Sequence, residues 1–331
     1  MVPEVILRPA LRQLKARSTA GFLLLGALLH GCAIILPQTE ALNENRPANL
    51  PVRTELTAVP FFAQEEYQCG PAALAMAMDA AGLSVTPEAL VDRVYLPGRH
   101  GSLQLEMLVA PRQYGLIAYE LAPQFADLLR EVAAGTPVVV LENYRFKWWP
   151  LWHYAVIVGY DLEAGEVIRR SGTKRRQTMP LPVFEYVWKD EGYWAMVVVP
   201  PDRVPVTASE ARYGQAVAAL EKSGHVRSAH IAYNAMLGRW PSSYIGLMGL
   251  GNTAYAMKDL DAAEAAFRRA TQAHPDAAAA FNNLAHVLAE RGKLDEALAA
   301  AERAVSMGGT FQPTAQTTLG EILKRIGSRT R

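Results

Sequence analysis

Cys69 sits in Gln64-Glu-Glu-Tyr-Gln-Cys69-Gly-Pro-Ala-Ala-Leu-Ala-Met76, at the start of a stretch that reads as a buried helix. Unpaired N–H groups and the helix dipole favour negative charge at such an end, so a thiol placed there is poised to act as a thiolate. Gln64, five residues upstream, carries an amide able to donate to the oxyanion that forms when a thiolate attacks a carbonyl. A cysteine nucleophile also needs a base that later protonates the leaving group. His153 supplies one, opening the strand-like run Trp152-His-Tyr-Ala-Val-Ile-Val-Gly-Tyr160. With the Cys69 backbone N–H as a second oxyanion donor, these residues suit thiol attack on an amide.

The elements that must hold them lie between Leu56 and Pro200. Val59-Pro-Phe-Phe62 is a short extended lead-in, and Gly70–Ala81 a helix ended by Gly82. Further helices are expected from Thr86-Pro87-Glu88, over Ser102–Tyr114 and over Pro123–Ala134, two of them with proline in the first turn. Strands follow at Pro137–Leu141, His153–Tyr160, Glu166–Ile168 and Trp194–Val199, with turn chemistry at Asp161–Gly165. Helices first and antiparallel strands after make an α+β domain.

Val59-Pro-Phe-Phe-Ala-Gln64, Cys69-Gly-Pro-Ala-Ala-Leu-Ala-Met and His153-Tyr-Ala-Val-Ile-Val-Gly-Tyr-Asp161 together resemble the double-glycine leader peptidases, the bacteriocin-processing, papain-like cysteine peptidases. The resemblance covers residues 56–200. It implies a papain-like fold with Cys69 as nucleophile, His153 as general base and acid, and Gln64 in the oxyanion hole. The family places an aspartate or asparagine on the strand after the histidine strand; in this chain Ser171 of Val167-Ile-Arg-Arg-Ser171 stands at that place. A hydroxyl accepts a hydrogen bond from imidazole but does not stabilise imidazolium as a carboxylate does. Asn143 is an alternative orienting group. Asp161 lies at the far end of the histidine strand, roughly 25 Å away at about 3.3 Å per residue, and is read as a turn former.

Residues 1–32 read as a targeting segment. Arg8, Arg12, Lys15 and Arg17 precede the apolar run Ala20–Leu29, which is too short to span a bilayer comfortably. Leu29-His-Gly-Cys32 resembles the lipobox of bacterial lipoproteins, which implies lipidation of Cys32. Ala33 after it implies the outer membrane, facing the periplasm. An uncleaved anchor is the alternative. Lipidation of Cys32 would leave Cys69 as a lone thiol, since the chain has two cysteines. Residues 33–55 are polar and proline-containing and read as a tether.

After the linker 201–207 the chain repeats. Leu260, Ala263, Ala270 and Pro275 recur in register as Leu294, Ala297, Ala304 and Gly309, and earlier as Val226, Ala229, Met236 and Pro241. A spacing of about 34 residues with small residues at helix contacts is the signature of tetratricopeptide repeats. The windows 208–241, 242–275 and 276–309 are three such repeats, with Thr314–Ile326 as a solvating last helix. Such a solenoid binds a peptide or protein partner on its concave face.

The net charge of +1 excludes a general polyanion binder, so no nucleic-acid partner is expected. Arg169-Arg170 and Lys174-Arg175-Arg176 are read as solvated strand ends or turns. His225, His230, His274 and His286 match no metal-ligand spacing, and there is no phosphate loop, so no cofactor or metal is expected. Tyr144–Trp152 is aromatic and basic and reads as a substrate rim or a flap over the sheet edge. The expectation is thus a papain-like domain followed by an all-α solenoid, working as a lipid-anchored cell-envelope cysteine peptidase on a peptide or protein. A peptidase-fold scaffold that binds without cutting, and an amidase or acyl transferase using the same thiol, are the alternatives.

Overall fold

The computed structural model describes residues 36–63, 68–99 and 101–329. Cys32 and the rest of the 1–32 segment lie outside the described residues, as do Gln64 and His100.

Residues 36–55, expected as a tether, are docked instead. α1 (Pro37–Glu44) buries Thr39 and Leu42. Its first N–H groups, from Gln38 and Thr39, donate to Glu185 at 3.0 and 2.6 Å. A buried carboxylate at a helix N-terminus satisfies donors that no intrahelical partner reaches. Leu50 is buried, and β1 (Arg53–Glu55) pairs antiparallel with the distal end of the histidine strand.

α2 (Cys69–Ala80) is buried almost throughout, because alanine, leucine and methionine occupy nearly all of its turns. It ends where Gly82 takes φ +88 and Leu83 N–H returns to the Met78 carbonyl, a left-handed cap. α3 (Pro87–Val94) starts at Thr86, whose hydroxyl accepts from Ala89 N–H. The single helix expected over 102–114 is broken: α4 (Gln104–Val109) passes into a 3-10 turn at Ala110–Tyr114, where Pro111 has no N–H to continue the α ladder. β2 (Ile117–Glu120) and α5 (Phe125–Ala133) follow.

β3 (Val138–Asn143), β4 (Trp152–Asp161), β5 (Glu166–Ser171), β6 (Lys174–Pro180), α6 (Leu181–Lys189) and β7 (Ala195–Val199) complete the domain. The seven-stranded sheet runs β2-β7-β3-β4-β5-β6, with β1 paired to β4, and its pairings are antiparallel. Three strands go beyond the sequence reading. β6 was hidden because Lys-Arg-Arg-Gln-Thr-Met-Pro has no apolar alternation; it is an exposed edge whose charges discourage further pairing. β1 and β2 are too short to show a period.

One face of the sheet, through Val139, Leu141, Tyr154, Val156 and Met196, packs against α2. The other, through Val138, Val140, Ala155, Ile157 and Val197, packs against α5 and α6 and also against the first helices of the C-terminal half.

That half is a run of antiparallel helix pairs: α7 (Glu210–Lys222) with α8 (Val226–Arg239), α9 (Tyr244–Ala256) with α10 (Leu260–Ala273), and α11 (Ala278–Glu290) with α12 (Leu294–Ser306). α13 (Gln312–Arg329) covers the end. The turns within pairs are left-handed at Gly224, Lys258 and Gly292, one residue per repeat. Tyr213, Val217 and Leu220 of α7 share a core cluster with Tyr119, Val197 and Val199 of the sheet. Glu131 accepts from Thr207 N–H at 2.8 Å and from its hydroxyl at 2.6 Å, and Arg203 donates to the Ala134 carbonyl at 2.6 Å. The linker is therefore pinned to the domain.

Candidate active site

Cys69 is the first residue of α2 and a free thiol. Its sulfur accepts from the backbone N–H groups of Tyr154 on β4 and of Gly70 and Cys69 itself, the last two being donors expected at a helix start. These lower the thiol pKa, but burial outweighs them and pushes it above its ordinary value. Gly70 is required by close approach: a Cβ there would collide with the Ser102 side chain.

His153 is the second residue of β4, and Tyr154, whose N–H meets the thiol, is the third. Thiol and imidazole are thus brought to the same end of one strand. The imidazole Nε2 lies 2.8 Å from Ser171 Oγ, at the end of β5. A register shift between Arg169 and Ser171 in the β5–β6 ladder turns the strand end there. His153 alternates with Tyr154 along β4, so the imidazole shares a sheet face with Glu142 and Ala155, whereas α2 packs on the face of Tyr154 and Cys69 reaches β4 through the Tyr154 N–H.

Beside His153 lies a group that the sequence reading placed wrongly. Arg169 and Arg170, expected on a solvated strand end, are both buried. Arg169 donates to Glu142 at 2.6 Å and to the Tyr144 hydroxyl at 2.7 Å, and Tyr144 in turn donates to Glu142. Glu142 is the cross-strand partner of His153, so period-two alternation puts both on one face. The Tyr144 ring lies 5.5 Å from the imidazole. Burial disfavours charge on both Glu142 and Arg169, and their contact holds the guanidinium pKa above its usual value. The available signal was a lone charge closing each apolar run, in Val138-Val-Val-Leu-Glu142 and in Val167-Ile-Arg169; buried charges occur in pairs.

This surrounding sets the base. Burial first, and the Arg169 charge second, lower the His153 pKa to about 4. At neutral pH the imidazole is uncharged and the thiol protonated.

Asn143 does not orient His153. Its Oδ1 accepts from Arg145 and Leu151 N–H, 3.0 Å each, and ties the base of the β3–β4 loop. Asp161 Oδ1 accepts from Glu163 and Ala164 N–H, as a turn former does. His230, His274 and His286 bond Thr253, the Ser242 carbonyl and Tyr255 inside the solenoid. Among the described residues no cluster of metal-ligating side chains occurs. No described helix is long and apolar enough to cross a membrane.

Residues 56–196 match the Peptidase C39 like family, and residues 248–311 match the tetratricopeptide repeat. No curated protein matches the chain. Among solved structures, a Bacillus anthracis protein designated a C39-like peptidase is similar at 20% identity over 44% of this chain and 97% of its own, with a TM-score of 0.38. The Yersinia enterocolitica type III secretion translocator chaperone SycD is similar at 18% identity over 35% of this chain and 85% of its own, TM-score 0.34. The first tetratricopeptide unit of Spaghetti, bound to an HSP90 peptide, is similar at 17% over 36% and 93%, TM-score 0.33. The chain carries a peptidase C39-like domain, an antiparallel sheet with helices, followed by tetratricopeptide repeats.

Proposed function

We propose that this chain is a cysteine peptidase of the cell envelope that cuts a peptide or protein presented by its repeats. The reading is carried by one observation: Cys69 at a helix start meets the N–H of Tyr154, next to a His153 whose Nε2 is held 2.8 Å from Ser171 Oγ. In this reading the His153 imidazole, turned toward the thiol, would take its proton as sulfur bonds to the scissile carbonyl carbon. The Cys69 N–H, and Gln64 by its sequence position, stabilise the oxyanion. The imidazolium then protonates the leaving amine, and water, deprotonated by the same imidazole, releases the acid. Burial first, and the Arg169 charge second, disfavour the imidazolium that this step forms. Acylation of Cys32 would hold the enzyme at the membrane, with the outer membrane and a periplasmic face as the proposed location.

Incubation of the full chain with a thiol-directed peptide aldehyde or epoxide tests the reading. Saturable adduct formation at Cys69, and peptide cleavage lost in Cys69→Ala, are expected; cleavage that persists in Cys69→Ala refutes it.

The raised thiol pKa and the lowered imidazole pKa favour a second reading, a peptidase fold that binds peptides without cutting them. Tight peptide binding with no adduct and no product would establish it.

A further inference from the structure

The β3–β4 loop is the feature that the catalytic reading leaves over. Phe146, Trp148, Trp149, Leu151 and Trp152 are 64, 77, 62, 46 and 55% exposed, five large apolar side chains within seven residues, of the kind that soluble surfaces rarely gather. The loop is built to hold them out. Asn143 ties both of its ends, Tyr144 N–H bonds the Leu151 carbonyl at 3.0 Å, and Phe146 and Trp149 form a β-bridge. The Phe146 and Trp148 rings stack 5.4 Å apart at 5°, and Arg145 lies over the Trp149 ring. Exposed Arg145 and Lys147 interleave the aromatics, and residues 144–152 contain no acid.

We propose that this loop docks onto an anionic lipid surface. Tryptophan favours the bilayer interface, where its ring is buried and its N–H stays wet, and cations beside it complement anionic headgroups. A preformed loop loses little freedom on docking. The chain path agrees with this occupant. Trp152 Nε1 donates to Glu191 at 2.8 Å. Two residues on, Tyr193 bonds Glu185, the carboxylate that also receives Gln38 and Thr39 at the start of α1. The start of α1 therefore lies beside the residues that buttress the loop, the side from which the anchor proposed at Cys32 would act. The docking needs neither hydrolysis nor acylation.

The test uses the full chain with phosphatidylcholine vesicles, with and without phosphatidylglycerol, carrying brominated acyl chains that quench tryptophan on contact. With phosphatidylglycerol, emission shifts to the blue and is quenched. The W148S/W149S variant loses that quenched component, and R145E/K147E weakens vesicle binding about tenfold. Thermal melts and alkylation of Cys69 stay unchanged in both variants, which separates a folding defect from lost docking. Acylation of Cys32 is read independently by the mass of the chain. Absence of quenching, or quenching equal in wild type and W148S/W149S, overturns the proposal. So does a dimer in sedimentation that W148S/W149S dissolves, or a peptide KM that rises in W148S/W149S without vesicles; these assign the loop to a second copy or to substrate.

Discussion

Ser171→Asp places a carboxylate where the His153 Nε2 now meets a hydroxyl at 2.8 Å. At roughly 4 Å between charge centres and an effective dielectric of about 20, the attraction to imidazolium is about 4 kcal/mol. At 1.36 kcal/mol per unit that is about 3 pK units. Ser171 is only 9% exposed, so the heavy screening of a surface pair does not apply. Two effects oppose the gain: the new carboxylate is itself desolvated, and Arg169 competes for it. A net rise of about 1 to 2 units is expected, from about 4 towards 5 or 6. The assay is the titration of the His153 Cε1–H resonance, alongside the pH dependence of Cys69 alkylation, which should quicken near neutrality as thiolate gains an imidazolium partner. Ser171→Asn controls for size without charge. A midpoint that stays put or falls in a folded Ser171→Asp protein refutes the electrostatic account, as does an equal rise in Ser171→Asn.

The lowered His153 pKa also makes a stability prediction. Its contribution is complete above the ordinary value of 6.5 and is lost as pH falls towards about 4, by roughly 3 kcal/mol; His153→Gln should flatten that part of the Tm-against-pH curve. Arg169→Met leaves Glu142 buried and unpaired and should cost about 3–5 kcal/mol in denaturant melts, most of it recovered in the double variant with Glu142→Gln. Lys258 holds the left-handed turn, at φ +65, that Gly224 and Gly292 fill in the other repeats. Lys258→Gly should stabilise the chain by about 0.5 kcal/mol, the relief of strain exceeding the added unfolded-state freedom; unchanged or lower stability by calorimetry contradicts it.

Ser171 was marked only by the family resemblance, whereas Cys69 and His153 stood out by local pattern, a small-residue helix and an apolar strand. The 34-residue register was legible for the same reason, since helix contacts repeat within one unit. What escaped the sequence depends on partners far apart in the chain. α1 looked like a tether because its composition is polar; it is fixed by Glu185, some 146 residues away. Arg169 looked like surface because charge usually is, and only the pairing of β3 with β4 and of β4 with β5 brings Glu142 within reach. The helix over 181–189 was missed with Pro182 in its first turn, although Phe184 and Trp188 anchor it in the core.

The packing of α7 against β2 joins the solenoid to the sheet through a shared core. On the proposed reading, a ligand held by the repeats would approach the domain from a set bearing rather than on a swinging arm, and substitutions in that shared core would alter its presentation without touching Cys69 or the surface of the repeats.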